Sequence, residues 1–134
     1  MDGRPSSAAE PIFTAEGAGA MLPELRERLL RIRRARQVML RTAEPIGRRA
    51  AARGPTRMVA GPADDRERLA SESLGAEIAW LAERNILLRD PETGLVDFPS
   101  ERDHRRVFLC WRLGEEIVAF WHGTDVGCSG RRRL

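Results

Sequence analysis

The stretch VFLCWRLGEEIVAFWHGTDVGCSGR, residues 107–131, decides the fold. It holds two apolar runs, VFLCW at 107–111 and IVAFW at 117–121, separated by Arg112, Leu113, Gly114, Glu115 and Glu116. Runs of this length, rich in β-branched and aromatic residues, read as strands, and a Gly at the first central position of a Gly-Glu turn suits a two-residue hairpin. That pairing puts Trp111 opposite Val118, Leu109 opposite Phe120 and Val107 opposite His122. Side chains alternate across a strand, so those six share one sheet face, and Phe108, Cys110, Arg112, Ile117, Ala119 and Trp121 share the other. Cys110 and His122, which look like a nucleophile and its base, then point apart, and Cys110 reads as a packed, inert thiol.

Upstream, ILLRD (86–90), the turn PETG (91–94), LVDF (95–98) and the charged loop PSERDHR (99–105) complete a four-stranded antiparallel meander. Both of its faces are largely apolar, so both need cover. A helical pair can cover only one, and the second is expected to meet a partner chain or folded-over termini.

The helices precede the strands. Thr14 reads as a helix cap, and Leu22, Leu25, Leu29, Ile32, Met39, Ala43 and Ile46 follow at helical spacings. The first helix is read over about residues 23–43, with Pro23 as a kink or a first turn and Pro45 ending or bending the far side. Two Gly-Pro pairs in AARGPTRMVAGPADD mark a flexible connection. The second helix is read over about 65–84, with Ala70, Leu74, Ile78 and Leu81 as the core stripe in preference to Leu69, Ser73, Ala76, Trp80 and Glu83. The fold class is α+β, a two-helix antiparallel hairpin followed by a small four-stranded meander. One domain is expected: a leader over 1–12, the helical hairpin over 13–84, and the meander with a C-terminal tail over 85–134.

A chain of 134 residues with 42% hydrophobic content is long enough to bury a core without disulfide staples. All 23 basic residues are Arg, against 20 acids, for a net charge of +3. Residues 21–60 carry 11 Arg and three Glu, and residues 61–134 carry 11 Arg and 14 acids, so the positive excess lies in the first helix and its connection. No apolar run approaches membrane-spanning length, and a cytoplasmic location with two free thiols is expected. The cysteines show no zinc-finger spacing.

Several of these words carry a resemblance. GLVDFP, LCWRLGE, WH followed by Asp125 after two intervening residues, the late Gly-Arg, and the opening FTAEGAGAMLPELRERL together resemble the bacterial family catalogued as domain of unknown function 2203. The similarity spans most of residues 12–131. It implies helices followed by a small sheet and brings no established activity. This chain departs from the family pattern at Gly17, where an acidic residue is usual nearby, at Gly123 in place of Glu, and at Cys128 in place of Phe.

The polar residues with chemical potential are Asp97, His122 and Asp125, candidates for an acid-base or metal site with Arg131 as a counter-charge. In the register above, Asp97 and His122 flank Val107 on one face, about 10 Å apart, too far for a hydrogen bond. The preferred reading is a polar network of Asp97, His122, Asp125, Arg112 and Arg131 that fixes the tail over the sheet, with Trp111 and Trp121 as aromatic anchors or pocket walls. The sequence names no cofactor or small-molecule ligand. The Arg-rich helix RERLLRIRRARQVMLR can track a phosphate backbone, yet no aromatic residue interleaves with its arginines and no reader motif accompanies it. The expectation is therefore a homodimeric binding or structural module that binds no membrane. A small-molecule enzyme, possibly metal-dependent, using Asp97, His122 and Asp125 is the first alternative, and nucleic-acid binding through the first helix the second.

Overall fold

The computed structural model describes residues 12–53 and 62–134, with side chains over 12–41 and 65–134. Most of the leader, residues 54–61 of the inter-helix connection, and the side chains of Ala43 and Ile46 lie outside the described residues. Two helices precede five strands: α1 Ala15–Arg53, α2 Pro62–Glu83, β1 Leu87–Asp90, β2 Leu95–Arg102, β3 Arg105–Arg112, β4 Phe120–Gly123 and β5 Arg132–Arg133, with a 3-10 turn at Cys128–Gly130. The α+β class and the helical hairpin are as expected. The sheet has five strands in sequential order, one more than expected, because the tail returns as β5 alongside β4.

Thr14 caps α1: its Oγ1 accepts the Gly17 amide at 2.9 Å, and its carbonyl accepts the Ala18 amide. The helix then continues through Pro23 and Pro45, so it is longer at both ends than the 23–43 expected. Pro23 is exposed, and the amide it lacks would have bonded the Gly19 carbonyl. Continuous burial of Ala18, Leu22, Leu25, Leu29, Ile32 and Ala35 outweighs that one lost bond.

On α2 the buried residues are Ala70, Glu77, Trp80 and Leu81, with Leu74 partly buried. Ile78, assigned to the core stripe, is 41% exposed, whereas Trp80 from the rejected stripe is 7% exposed. Charge explains the rotation. The buried Glu77 carboxylate receives Arg28 Nη1 at 2.9 Å and Arg31 Nη1 at 3.4 Å, while the Arg28 and Arg84 guanidiniums lie 4.6 and 4.2 Å from the Trp80 ring. A carboxylate is buried only where it is paired, so these contacts aim Glu77 and Trp80 inward together.

The β1–β2 turn is closed by Asp90, whose Oδ1 accepts the Glu92 amide at 2.9 Å, a bond that holds its carboxyl below the usual range. Gly94 takes φ +74° there, and a Cβ would stand 2.6 Å from Leu113. Pro99 to Arg102, expected as loop, continue β2 to a two-residue turn at Asp103 and His104, both at positive φ (53° and 65°). Those angles are the hairpin-favoured type, and Asp and His tolerate them better than most residues. Pro99 fits because it lies past the end of β1, where the Phe13 amide bonds its carbonyl at 2.7 Å.

The decisive departure is the β3–β4 connection, which spans residues 113–119 in place of a two-residue turn. The Trp111 indole donates to the Glu115 carbonyl at 3.0 Å, Arg26 Nη2 to the Glu116 carbonyl at 2.9 Å, and Val118 enters the core. These bonds satisfy loop backbone groups that a tight turn would have paired across the ladder. The register moves by one: Phe108 pairs with His122, Leu109 with Trp121 and Cys110 with Phe120. A one-residue slip exchanges the faces of the whole strand. Val96, Phe98, Leu109, Trp111 and Trp121 therefore face or flank the helices, and Asp97, Phe108, Cys110, Phe120 and His122 face the other way. The C-terminal tail folds over that outer face, one of the two covers expected.

Candidate metal centre

Four side chains meet on the outer face. Asp97 on β2 stands directly opposite Cys110 on β3, and His122 on β4 is diagonal to Cys110. The tail adds Cys128 from the 3-10 turn. One ligand atom from each of Asp97, Cys110, His122 and Cys128 lies within 4.8 Å of all the others. Relative exposures of 2% for Asp97, 0% for Cys110 and 3% for His122 put three of them out of bulk water.

Each of those three is held by a further partner. Arg89 Nε donates to Asp97 Oδ2 at 2.8 Å. Arg89 sits where the β1–β2 register shifts, between Leu88 and Asp90, an irregularity of the kind that re-aims a side chain. His122 Nδ1 is 2.9 Å from its neighbour's carbonyl on Gly123, while Nε2 is 3.0 Å from Asp97 Oδ1 and 3.1 Å from Oδ2. Arg131 Nη1 approaches the Cys110 sulfur at 3.9 Å and anchors through Nη2 on Glu115 Oε2 at 2.7 Å. Both ring nitrogens of His122 thus face oxygen acceptors, an arrangement satisfied either by a doubly protonated ring or by a cation standing where the Nε2 proton would be.

The Cys110 and Cys128 sulfurs are in bonding contact, with Cα atoms 6.4 Å apart, so the expectation of two separate free thiols does not hold. Nor does the expectation that Cys110 and His122 point apart: the longer β3–β4 loop turned His122 onto the cysteine's face. Asp97 and His122, expected about 10 Å apart, are in hydrogen-bond contact: β2 also pairs three residues out of the expected register, Phe98 facing Leu109 in place of Arg106, so the two again share a face across β3, and their side chains span the gap between the backbones. Asp125 is exposed in the turn after β4 and does not join the cluster. Arg131 touches the site. Arg112 is exposed and reaches Glu115 at 3.9 Å, not the cluster. Trp111 and Trp121 lie on the inner face, away from the site. Arg89 and Cys128 were missed. No spacing rule flags four ligands drawn from three strands and a tail turn, since their proximity is created by register.

A cavity of about 230 Å³ opens beside the cluster, lined by Asp97, His122 and Cys128 together with Arg89, Phe108 and Thr124. The larger cavities lie elsewhere on the molecule.

Fold and site together define a small α+β protein whose outer sheet face gathers a buried carboxylate, imidazole and cysteine sulfur under a cysteine-bearing tail. A family model described as "Uncharacterized conserved protein (DUF2203)" matches residues 11–134, and the chain belongs to that family. No curated protein and no solved structure matches it.

Proposed function

We propose that this chain is a metal-binding protein that holds one divalent ion of the zinc type with Asp97, Cys110, His122 and Cys128. The convergence of the four ligand atoms within 4.8 Å of one another carries the proposal. A sulfur-sulfur link alone would not need a buried carboxylate and an imidazole aimed at the same point. Two thiolates, an imidazole and a carboxylate suit zinc, whereas calcium and magnesium favour all-oxygen shells. Two thiolates and one carboxylate against a divalent ion leave one net negative charge, which Arg89 and Arg131 offset. Arg89 on Asp97 and the Gly123 carbonyl on His122 Nδ1–H are the outer partners that orient metal ligands.

The ion would clamp the tail onto the sheet, covering the outer face within one chain. Reduced thiols are needed, in keeping with a cytoplasmic location, and among the described residues no helix is long and apolar enough to cross a membrane. The cavity beside the cluster supports a second reading, in which Asp97, Cys110 and His122 would hold the ion and leave the Cys128 position to a small molecule, where the ion would supply Lewis-acid chemistry. Pairing of two copies is a separate proposal, supported by Leu30, Leu69 and Ile78, exposed at 39%, 59% and 41% on the helical hairpin.

The test is elemental analysis of protein purified and reloaded under reducing conditions. One zinc per chain is expected, lost in His122→Ala and weakened in Cys128→Ser. A reduced, folded protein that retains no zinc, copper, iron, cobalt or nickel overturns the proposal.

A further inference from the structure

The sheet face opposite the metal ligands is only partly covered by the helices. At the end of β2 and β3 farthest from the 113–119 loop, a groove of about 1120 Å³ is lined by Arg102, Arg105, Arg106 and Arg132, with Trp121 and Val107 in its wall. Register places these groups together: Arg102 pairs with Arg105 across the hairpin, and Trp121 pairs with Arg132. The Arg102 guanidinium lies 5.0 Å from the Trp121 ring centre and that of Arg132 lies 5.7 Å from it.

Half of the other arginines with described side chains have carboxylate partners. Arg28, Arg31, Arg68, Arg84, Arg89, Arg112 and Arg131 are each held in an ion pair. Among the described residues Arg102, Arg105 and Arg132 have no such partner, although Asp103 and Asp125 stand on the groove's rim. Four Arg against two Asp leave the lining at +2. Converging guanidiniums repel one another, and an anion lying in the groove converts that repulsion into attraction.

We infer that this groove binds single-stranded nucleic acid. Guanidiniums recognise phosphates through several donors each, and they also offer flat faces on which unpaired bases stack beside an aromatic ring. Basic side chains interleaved with an aromatic are what the first helix lacks and the groove has. No helix residue lines the groove, so a recognition helix is absent from the site, and an aromatic ring flanked by guanidiniums suits an unpaired base better than one stacked in a duplex. The inference does not rest on the metal centre: Trp121, Val107, Arg102, Arg105 and Arg132 lie on the face opposite its ligands, and Thr124 alone lines both the groove and the cavity beside the cluster.

Fluorescence anisotropy of a labelled oligothymidylate titrated with the full chain at low salt tests it. Binding is expected, with a log-log salt slope of about −2, corresponding to about three phosphate contacts. Arg102→Glu combined with Arg132→Glu should weaken it at least tenfold and flatten the slope, while Arg34→Glu combined with Arg41→Glu on the exposed helix face leaves it within twofold. Unchanged circular dichroism and melting show that each variant is folded. The inference is overturned if the oligonucleotide does not bind at low salt, or if the groove variant binds like the wild type. It is equally overturned if only the helix variant loses affinity, or if adenosine monophosphate competes as well as an unlabelled oligonucleotide does.

Discussion

Cys110 and His122 are diagonal neighbours on one sheet face: Cys110 pairs with Phe120, and His122, two residues on, pairs with Phe108. Diagonal cross-strand neighbours lie within reach of each other's side chains. From this relationship the ligand cluster follows, since Asp97 is set opposite Cys110 by the neighbouring hairpin and the tail needs only to lay Cys128 on top.

Arg89 does not touch the proposed ion, yet among the described residues it carries the one side-chain hydrogen bond to Asp97 Oδ2 other than the His122 contact. Arg89→Ala should therefore lower zinc affinity by about 10–100-fold while leaving the stoichiometry at saturation unchanged. Competition against a chromophoric chelator measures this. Equal affinities would remove Arg89 from the site's supporting layer.

Cys110 and Cys128 can either share a bond or ligate an ion, but not both. Treatment of the zinc-loaded protein with a thiol-specific oxidant such as diamide, which takes up the two electrons, should form the Cys110–Cys128 link and release the metal. A thiol reductant should restore binding. Zinc release and free-thiol count are followed together, and release without loss of thiols would contradict the shared role.

Leu29 is fully buried between the helices and the sheet. Leu29→Ala should cost about 2–5 kcal/mol of unfolding free energy in chemical denaturation, whereas Leu69→Ala, at a residue 59% exposed, should change stability by less than about 0.5 kcal/mol.

Asp103 and His104 both hold positive φ in the β2–β3 turn. Replacing them by Asn and Gly relieves left-handed strain and should stabilise the protein by about 1 kcal/mol. Gly94→Ala should do the reverse, because its added Cβ meets Leu113 at 2.6 Å. Thermal melting of both variants distinguishes the two effects by sign.

The α1 stripe, the Thr14 cap and the order of helices before strands were legible because each depends on local spacing. Register was not. The Gly114-Glu115 pair satisfied the local rule for a tight hairpin, and only the Trp111 and Arg26 bonds to loop carbonyls, made across 4 and 90 residues of chain, favour the longer connection. Likewise Pro99 to Arg102 read as a charged loop because nothing local shows that Phe13 docks on the Pro99 carbonyl. Asp97 and His122 were singled out on chemical grounds, and Asp125 with them. Which of the three meet depended on those two registers, and so did the recruitment of Cys110.

Cobalt(II) substitution tests the shared ligand set most directly. Reduced protein loaded with one equivalent of cobalt should show visible bands of tetrahedral intensity together with a near-ultraviolet sulfur-to-cobalt charge-transfer band that loses about half its intensity in Cys128→Ser, as one of two thiolate ligands is removed. A weak octahedral spectrum without the sulfur band, from protein whose thiols are demonstrably reduced, would contradict a metal held by Cys110, Cys128, His122 and Asp97.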